Sequence, residues 1–154
     1  MLIGKGIKKG YLSEEEIVRL SKKSLLNLDL QNKRVLVIIP DHTRTAPIDL
    51  FFKIIFDSIG NKVKRLDYII ALGTHPPLIK EKILKLVGIS HKEREEKYSK
   101  IKFFNHKWDD PGHLKTIGKI TSKETKSISS GMLEEEVNIT INKIIFDYDQ
   151  LIIL

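Results

Sequence analysis

Two apolar runs set the limits within which this chain can fold. Arg34-Val35-Leu36-Val37-Ile38-Ile39 and Leu66-Asp67-Tyr68-Ile69-Ile70-Ala71-Leu72 are almost continuous rather than alternating, so each demands burial on both faces, as in a parallel sheet. The first stops at Pro40 and the second at Gly73. Between them, Pro47 stands at a first-turn position and Ile48, Phe51, Phe52, Ile55, Phe56 and Ile59 recur at helical spacing until Gly60. Strand, polar loop and helix, then strand again, is the βαβ pattern.

The rest of the chain extends that pattern less regularly. Ser13-Glu14-Glu15-Glu16 has the spacing of a capping box and predicts a helix from about Ser13 to Leu26. A helix over Leu78–Val87 ends at Gly88, and a charged helix starts at Ser90. Lys102–Phe104 reads as a short strand, Asn105–His113 as a loop, and Leu114–Ile120, Val137–Ile141 and Asp149–Leu154 as further strands. No internal repeat or linker divides residues 1–154. The expected fold is a doubly wound α/β domain: a Rossmann-like, open, mainly parallel sheet with helices on both faces.

Composition removes several function classes. With no Cys, the chain has no disulfide framework, thiolate zinc site or cysteine nucleophile. No uninterrupted stretch of about 20 apolar residues is present to span a bilayer, and the N-terminus lacks a secretion signal, so a cytoplasmic protein with no membrane partner is expected. The formal charge is +7, but it comes from scattered lysines; the densest cluster, Lys62-Val63-Lys64-Arg65, has no aromatics for base stacking. A solvated surface explains it better than nucleic-acid binding.

Ligands of open α/β sheets lie beyond the carboxyl ends of the strands. After the first strand, Asp41-His42-Thr43-Arg44-Thr45-Ala46 runs into a helix N-terminus and offers a guanidinium, hydroxyls and free amides, which suit an anion. The plainer alternative is that Asp41 and Thr45 only cap the turn while Arg44 is solvated. After the second strand, Gly73-Thr74-His75-Pro76-Pro77 holds His75 on a stiff turn, where a histidine can move protons near neutral pH. Adjacent strands would bring Arg44 and His75 toward one pocket. A third set, His106, Asp109, Asp110 and His113, lacks a helical metal-site spacing and contains ordinary Asp-Pro-Gly turn chemistry. Gly4-Lys5-Gly6 lacks the flanking strand and helix of a phosphate loop.

Taken in order, Pro40-Asp41-His42-Thr43-Arg44, Leu72-Gly73-Thr74-His75-Pro76-Pro77 and Phe104-Asn105-His106-Lys107-Trp108-Asp109-Asp110-Pro111 resemble the N-terminal part of the lactate racemase family. Those enzymes interconvert 2-hydroxy acids by hydride transfer to a nickel pincer nucleotide, a Ni pyridinium-3,5-bisthiocarboxylate mononucleotide. The resemblance implies that Asp41, His42, Thr43 and Arg44 line the cofactor and that Arg44 also faces the substrate. It implies that His75 contacts the substrate as one of two acid–base histidines. The family's second histidine, cofactor-bearing lysine and nickel-ligating histidine follow the strand that Asp149–Leu154 resembles, so the resemblance implies an incomplete N-terminal domain. No metal ligand, covalent cofactor or turnover is then expected of this chain alone. Pro76-Pro77 replaces an Arg-Pro of some members, which leaves the hydroxy acid open. Its expected partners are that acid and the remainder of the enzyme, or a second copy covering Leu151-Ile152-Ile153-Leu154. The alternative is a non-catalytic module that binds an anionic nucleotide or hydroxy acid at Arg44 and His75.

Overall fold

The computed structural model describes residues 2–154. Helix α1, Glu14–Leu26, precedes strand β1, Arg34–Pro40, helix α2, Ile48–Ile59, and strand β2, Arg65–Ala71. Helices α3, Lys80–Leu86, and α4, His91–Glu96, lead to the brief strand β3, Phe103–Asn105. Next come a 3-10 turn at Pro111–His113, strand β4, Leu114–Ile120, helix α5, Ser122–Ile128, and strand β5, Val137–Asn142. A 3-10 helix at Lys143–Asp147 and strand β6, Gln150–Ile153, complete the order.

The two apolar runs became the central strands. β3, β2, β1 and β6, in that order, make one parallel sheet, in which Arg34 pairs with Arg65 and Pro40 with Ala71. Val35, Val37 and Ile39 point to one face and join Phe52, Ile55 and Ile59 of α2, Leu25 of α1 and Ile83 and Leu84 of α3 in the main core. Leu36 and Ile69 point to the other face, where Tyr148 and the 3-10 residues Ile144 and Ile145 cover them. The sheet is therefore flanked by helices unequally: α-helices fill one side, and a single 3-10 helix lies on the other.

β4 and β5 stand outside this sheet as an antiparallel pair, with a register shift between Thr116 and Gly118. Helix α5 connects them, in a stretch the sequence reading left unassigned. Its signal was available: Thr121 and Glu124 form a full capping box, as Ser90 and Glu93 do for α4. At α1 only half of the expected box exists. Ser13 accepts from the Glu16 amide, while the Glu16 carboxylate turns to Lys5.

Strand order decides where a ligand can enter. The chain steps outward from β1 to β2 to β3 and then returns to lay β6 on the opposite side of β1. That reversal is a topological switch point, and the crevice it opens lies beyond the carboxyl ends of β1 and β6. Asp41 is the residue directly after β1. β6 is the outer strand, tied to β1 by the Arg34–Asp149 ion pair and by the Leu154 amide on the Ile38 carbonyl at 3.0 Å. The apolar ending is thus an ordered edge strand, half-buried at Leu151, Ile152 and Leu154, with Ile153 75% exposed.

Candidate active site

Asp41 and His75 meet beside this switch point, beyond the carboxyl ends of β1 and β2. Because Pro40 and Ala71 are register partners, the two strands release their loops side by side, about 4.8 Å apart. The second loop turns back at once: the His75 amide donates to the Leu72 carbonyl at 3.0 Å, with Gly73 at φ +59° between them. A side chain at that φ is strained, so Gly73 is what allows the tight return. The turn brings the His75 ring over the end of β1, and Nδ1 lies 2.5 Å from Asp41 Oδ2.

The rest of the Asp41 carboxylate is also occupied. Oδ1 accepts from the Thr43 amide at 3.0 Å and from the Thr43 hydroxyl at 2.6 Å, an Asx turn that fixes the loop. Asp41 is 3% exposed. Burial alone would raise its pKa, but the hydrogen bonds from Thr43 and His75 outweigh burial and bring it down to about 2. An ionised carboxylate can only accept, so the proton between the two groups belongs to His75 Nδ1. Nε2 is left as the basic nitrogen on a side chain that is 52% exposed. A histidine whose tautomer is fixed by a buried aspartate is a device for accepting and returning a proton.

Asn105, at the end of β3, supports the same loop. Its Oδ1 accepts from the Leu78 amide and its Nδ2 donates to the Leu78 carbonyl, both at 2.9 Å. The side chain acts as a short piece of strand partner for the segment that leaves Pro76-Pro77. Nothing in the sequence reading assigned it this role, since a loop Asn is unremarkable until the residue it reaches is known.

Among the described residues, the other expected side chains make no hydrogen bond to Asp41 or His75. His42 and Arg44 are exposed and line a cleft between the start of α2 and the end of α3, and His75 is not among its walls. The Arg44 amide donates to the Asp41 carbonyl at 3.3 Å, so Arg44 belongs to the same loop turn as Asp41. His106 Nδ1 accepts from Asn142 Nδ2 at 3.1 Å, which joins β5 to the edge of the main sheet. His113 Nδ1 and Asp110 Oδ2 are 2.8 Å apart, and Asp110 also accepts from the Gly112 amide, so both groups close their own turn. Among the described residues, no three His, Asp or Glu side chains converge on a site for a metal ion.

A parallel α/β sheet whose strand order reverses at β1 belongs to the doubly wound class. Within that class the assignment is specific: the chain belongs to the lactate racemase N-terminal domain family, which matches residues 14–153. It is also similar to a protein from Thermotoga maritima of known crystal structure, at 30% identity and a TM-score of 0.79 over 92% of this chain and 33% of that one. The chain thus spans about a third of that protein's length. No curated protein matches it. Among the described residues, no helix is long and apolar enough to cross a membrane.

Proposed function

We propose that this chain is the N-terminal part of an isomerase that inverts a small 2-hydroxy acid by hydride transfer, with His75 as one of two acid–base histidines. The observation that carries the reading is the Asp41–His75 pair, which leaves one basic nitrogen presented at the sheet's ligand edge. Removing a hydride from C2 requires a base for the hydroxyl proton, and returning it from the other face requires a second one. His75 Nε2 takes or gives that proton on one face. Asp41 holds the ring and stabilises its cationic form, as a positioning residue. Arg44 is the cation suited to the substrate carboxylate.

The family's nickel pincer nucleotide fits these residues on its organic side. Arg44 offers a guanidinium to an anionic group and the Thr43 oxygen, whose hydrogen is committed to Asp41, can accept from a ligand hydroxyl, while the chain has no Cys, so sulfur ligands to nickel would be the cofactor's own. When bound, such a group supplies the hydride acceptor. We place the second histidine and the cofactor's point of attachment outside these 154 residues. The free edge of β6 would then be covered by that further chain or by a second copy.

Racemisation assays on the complete enzyme test the reading. His75→Ala should lower kcat at least about a hundredfold, and Arg44→Ala should raise KM for the acid. An unchanged kcat in His75→Ala would remove His75 from the mechanism. Racemisation by the 154-residue chain alone, supplied with the cofactor, would refute the need for outside groups.

A further inference from the structure

His106 is a second histidine at the ligand edge whose tautomer is fixed by a neighbour. The Ile144 amide donates to Asn142 Oδ1 at 3.1 Å, which settles how that side-chain amide is turned, and its Nδ2 lies 3.1 Å from His106 Nδ1. An amide nitrogen only donates, so Nδ1 of His106 accepts and the ring's one hydrogen stands on Nε2. His75 has the reverse arrangement, with its hydrogen on Nδ1 beside Asp41. Nε2 of His106 makes no hydrogen bond among the described residues. It is not sealed off either, since among them the Tyr68 hydroxyl is the buried side-chain polar atom without a partner. His106 therefore keeps one unspent donor open to solvent.

Strand register places that donor. Ile70 pairs with Asn105, and the His106 amide donates to the Ile70 carbonyl at 3.1 Å, which carries the β2–β3 pairing one residue further. His106 then stands level with Ala71, and Ala71 is level with Pro40. Two strand spacings, about 10 Å, separate the His106 backbone from the end of β1, where Asp41 starts its loop and holds His75. Side chains alternate along β3: Phe104 packs with Leu36 and Ile69, Asn105 reaches Leu78 on the other side, and His106 returns to the face of Phe104. Ala71 is exposed on that face, so the row from Pro40 to His106 is an open shelf rather than a packed layer.

We propose that His106 Nε2–H is the hydrogen-bond donor to the C2 oxygen of the hydroxy acid whose proton His75 takes, a role that rests on the isomerase function. That oxygen has two needs, an acceptor for its proton and a donor for the charge it develops as the proton leaves. His75 Nε2 meets the first and His106 Nε2 the second, while Arg44 stays free for the carboxylate. The bond from Asn142 makes the donor permanent, because a hydrogen shifted to Nδ1 would face the Asn142 nitrogen's own hydrogens.

Two substitutions in the complete enzyme separate this role from a purely structural one, assayed with whichever of lactate, malate and 2-hydroxybutyrate the wild type racemises fastest. His106→Asn keeps an oxygen near the place of Nδ1 for Asn142 and removes the distal donor. It should lower kcat at least about tenfold with little change in KM, as loss of a hydrogen bond to a charge formed in the transition state predicts. His106→Gln keeps an N–H near the place of Nε2 and removes the acceptor for Asn142, so it should retain most of the rate. An equal or larger loss in His106→Gln, or wild-type kcat in His106→Asn, overturns the proposal and leaves His75 in place, because His75→Ala reads that assignment separately. A complete wild-type enzyme that racemises none of the three acids would remove the isomerase function and this role with it. The tautomer is read without turnover: long-range 1H–15N spectra of the 154-residue chain at about pH 8, above the ordinary imidazole range, should show His106 with a protonated Nε2 and a bare Nδ1. A protonated Nδ1 there also overturns the proposal.

Discussion

Asp41 is buried and still charged, so its contribution to stability depends on pH. Its carboxyl pKa in the fold, about 2, is below the ordinary value near 4 of an unfolded chain. Ionised Asp41 therefore stabilises the fold fully above about pH 4, and that contribution is lost as the pH falls toward 2. Urea unfolding of the protein and of Asp41→Asn should show a stability gap at pH 7 that shrinks through this window; a constant gap would mean that charge is not what the site holds. Asp67 is a second buried carboxylate, satisfied by Arg65, by the Tyr148 hydroxyl at 2.6 Å and by the Lys102 amide at 2.6 Å. Asp67→Ala should cost about 3–5 kcal/mol in the same assay, because Arg65 and Tyr148 lose a shared buried partner on β2. Tyr68 is the opposite case. Its hydroxyl is buried without any partner among the described residues, and burial pushes its pKa up. Tyr68→Phe should raise stability by about 1 kcal/mol, since it removes an unsatisfied polar atom and keeps the ring packed on Phe52 and Phe103.

At the scale of elements, the Asp41–His75 pair depends on one turn and one anchor. Gly73→Ala places a side chain at φ +59° and should cost about 1 kcal/mol, while displacing His75 from Asp41. Asn105→Ala removes both hydrogen bonds to Leu78. Its effect should appear in the complete enzyme as a lower kcat with little change in KM, because the substrate's carboxylate partner is untouched. The elements themselves were legible wherever burial repeats along the chain. The β1 and β2 runs, the α2 stripe and the Ser90 cap are local patterns, and each formed where it was expected. Helix α5 was missed because Ser122-Lys123-Glu124-Thr125-Lys126-Ser127-Ile128 buries only Thr125 and so has no apolar stripe to read.

At the scale of the molecule, the sheet's outer strand β6 is hydrogen-bonded to β1 alone among the described strands, with Leu151 and Ile152 packed against the cores on its two faces. Arg34 grips Asp149 from its backbone amide at 2.8 Å and from its guanidinium at 2.7 Å, and this clamp starts the β1–β6 pairing. Asp149→Ala should speed amide hydrogen exchange in Leu151–Ile153 while leaving β2 protected; uniform loss of protection would show that β6 is not an independent unit.

The sequence by itself determined the strands, most helices and the two loops that carry Asp41 and His75, because periodic burial and turn chemistry are encoded among near neighbours in the chain. Only the tertiary structure decided how those loops combine. Asp41 and His75 are 34 residues apart, and they touch because the register of β1 on β2 places their strand ends level. The close approach of Gly88 to Asp49, which sets the turn after α3 against the start of α2, is decided at the same scale. Contacts of that kind depend on strand order and helix packing, which are settled by burial over the whole core and leave no local pattern to read.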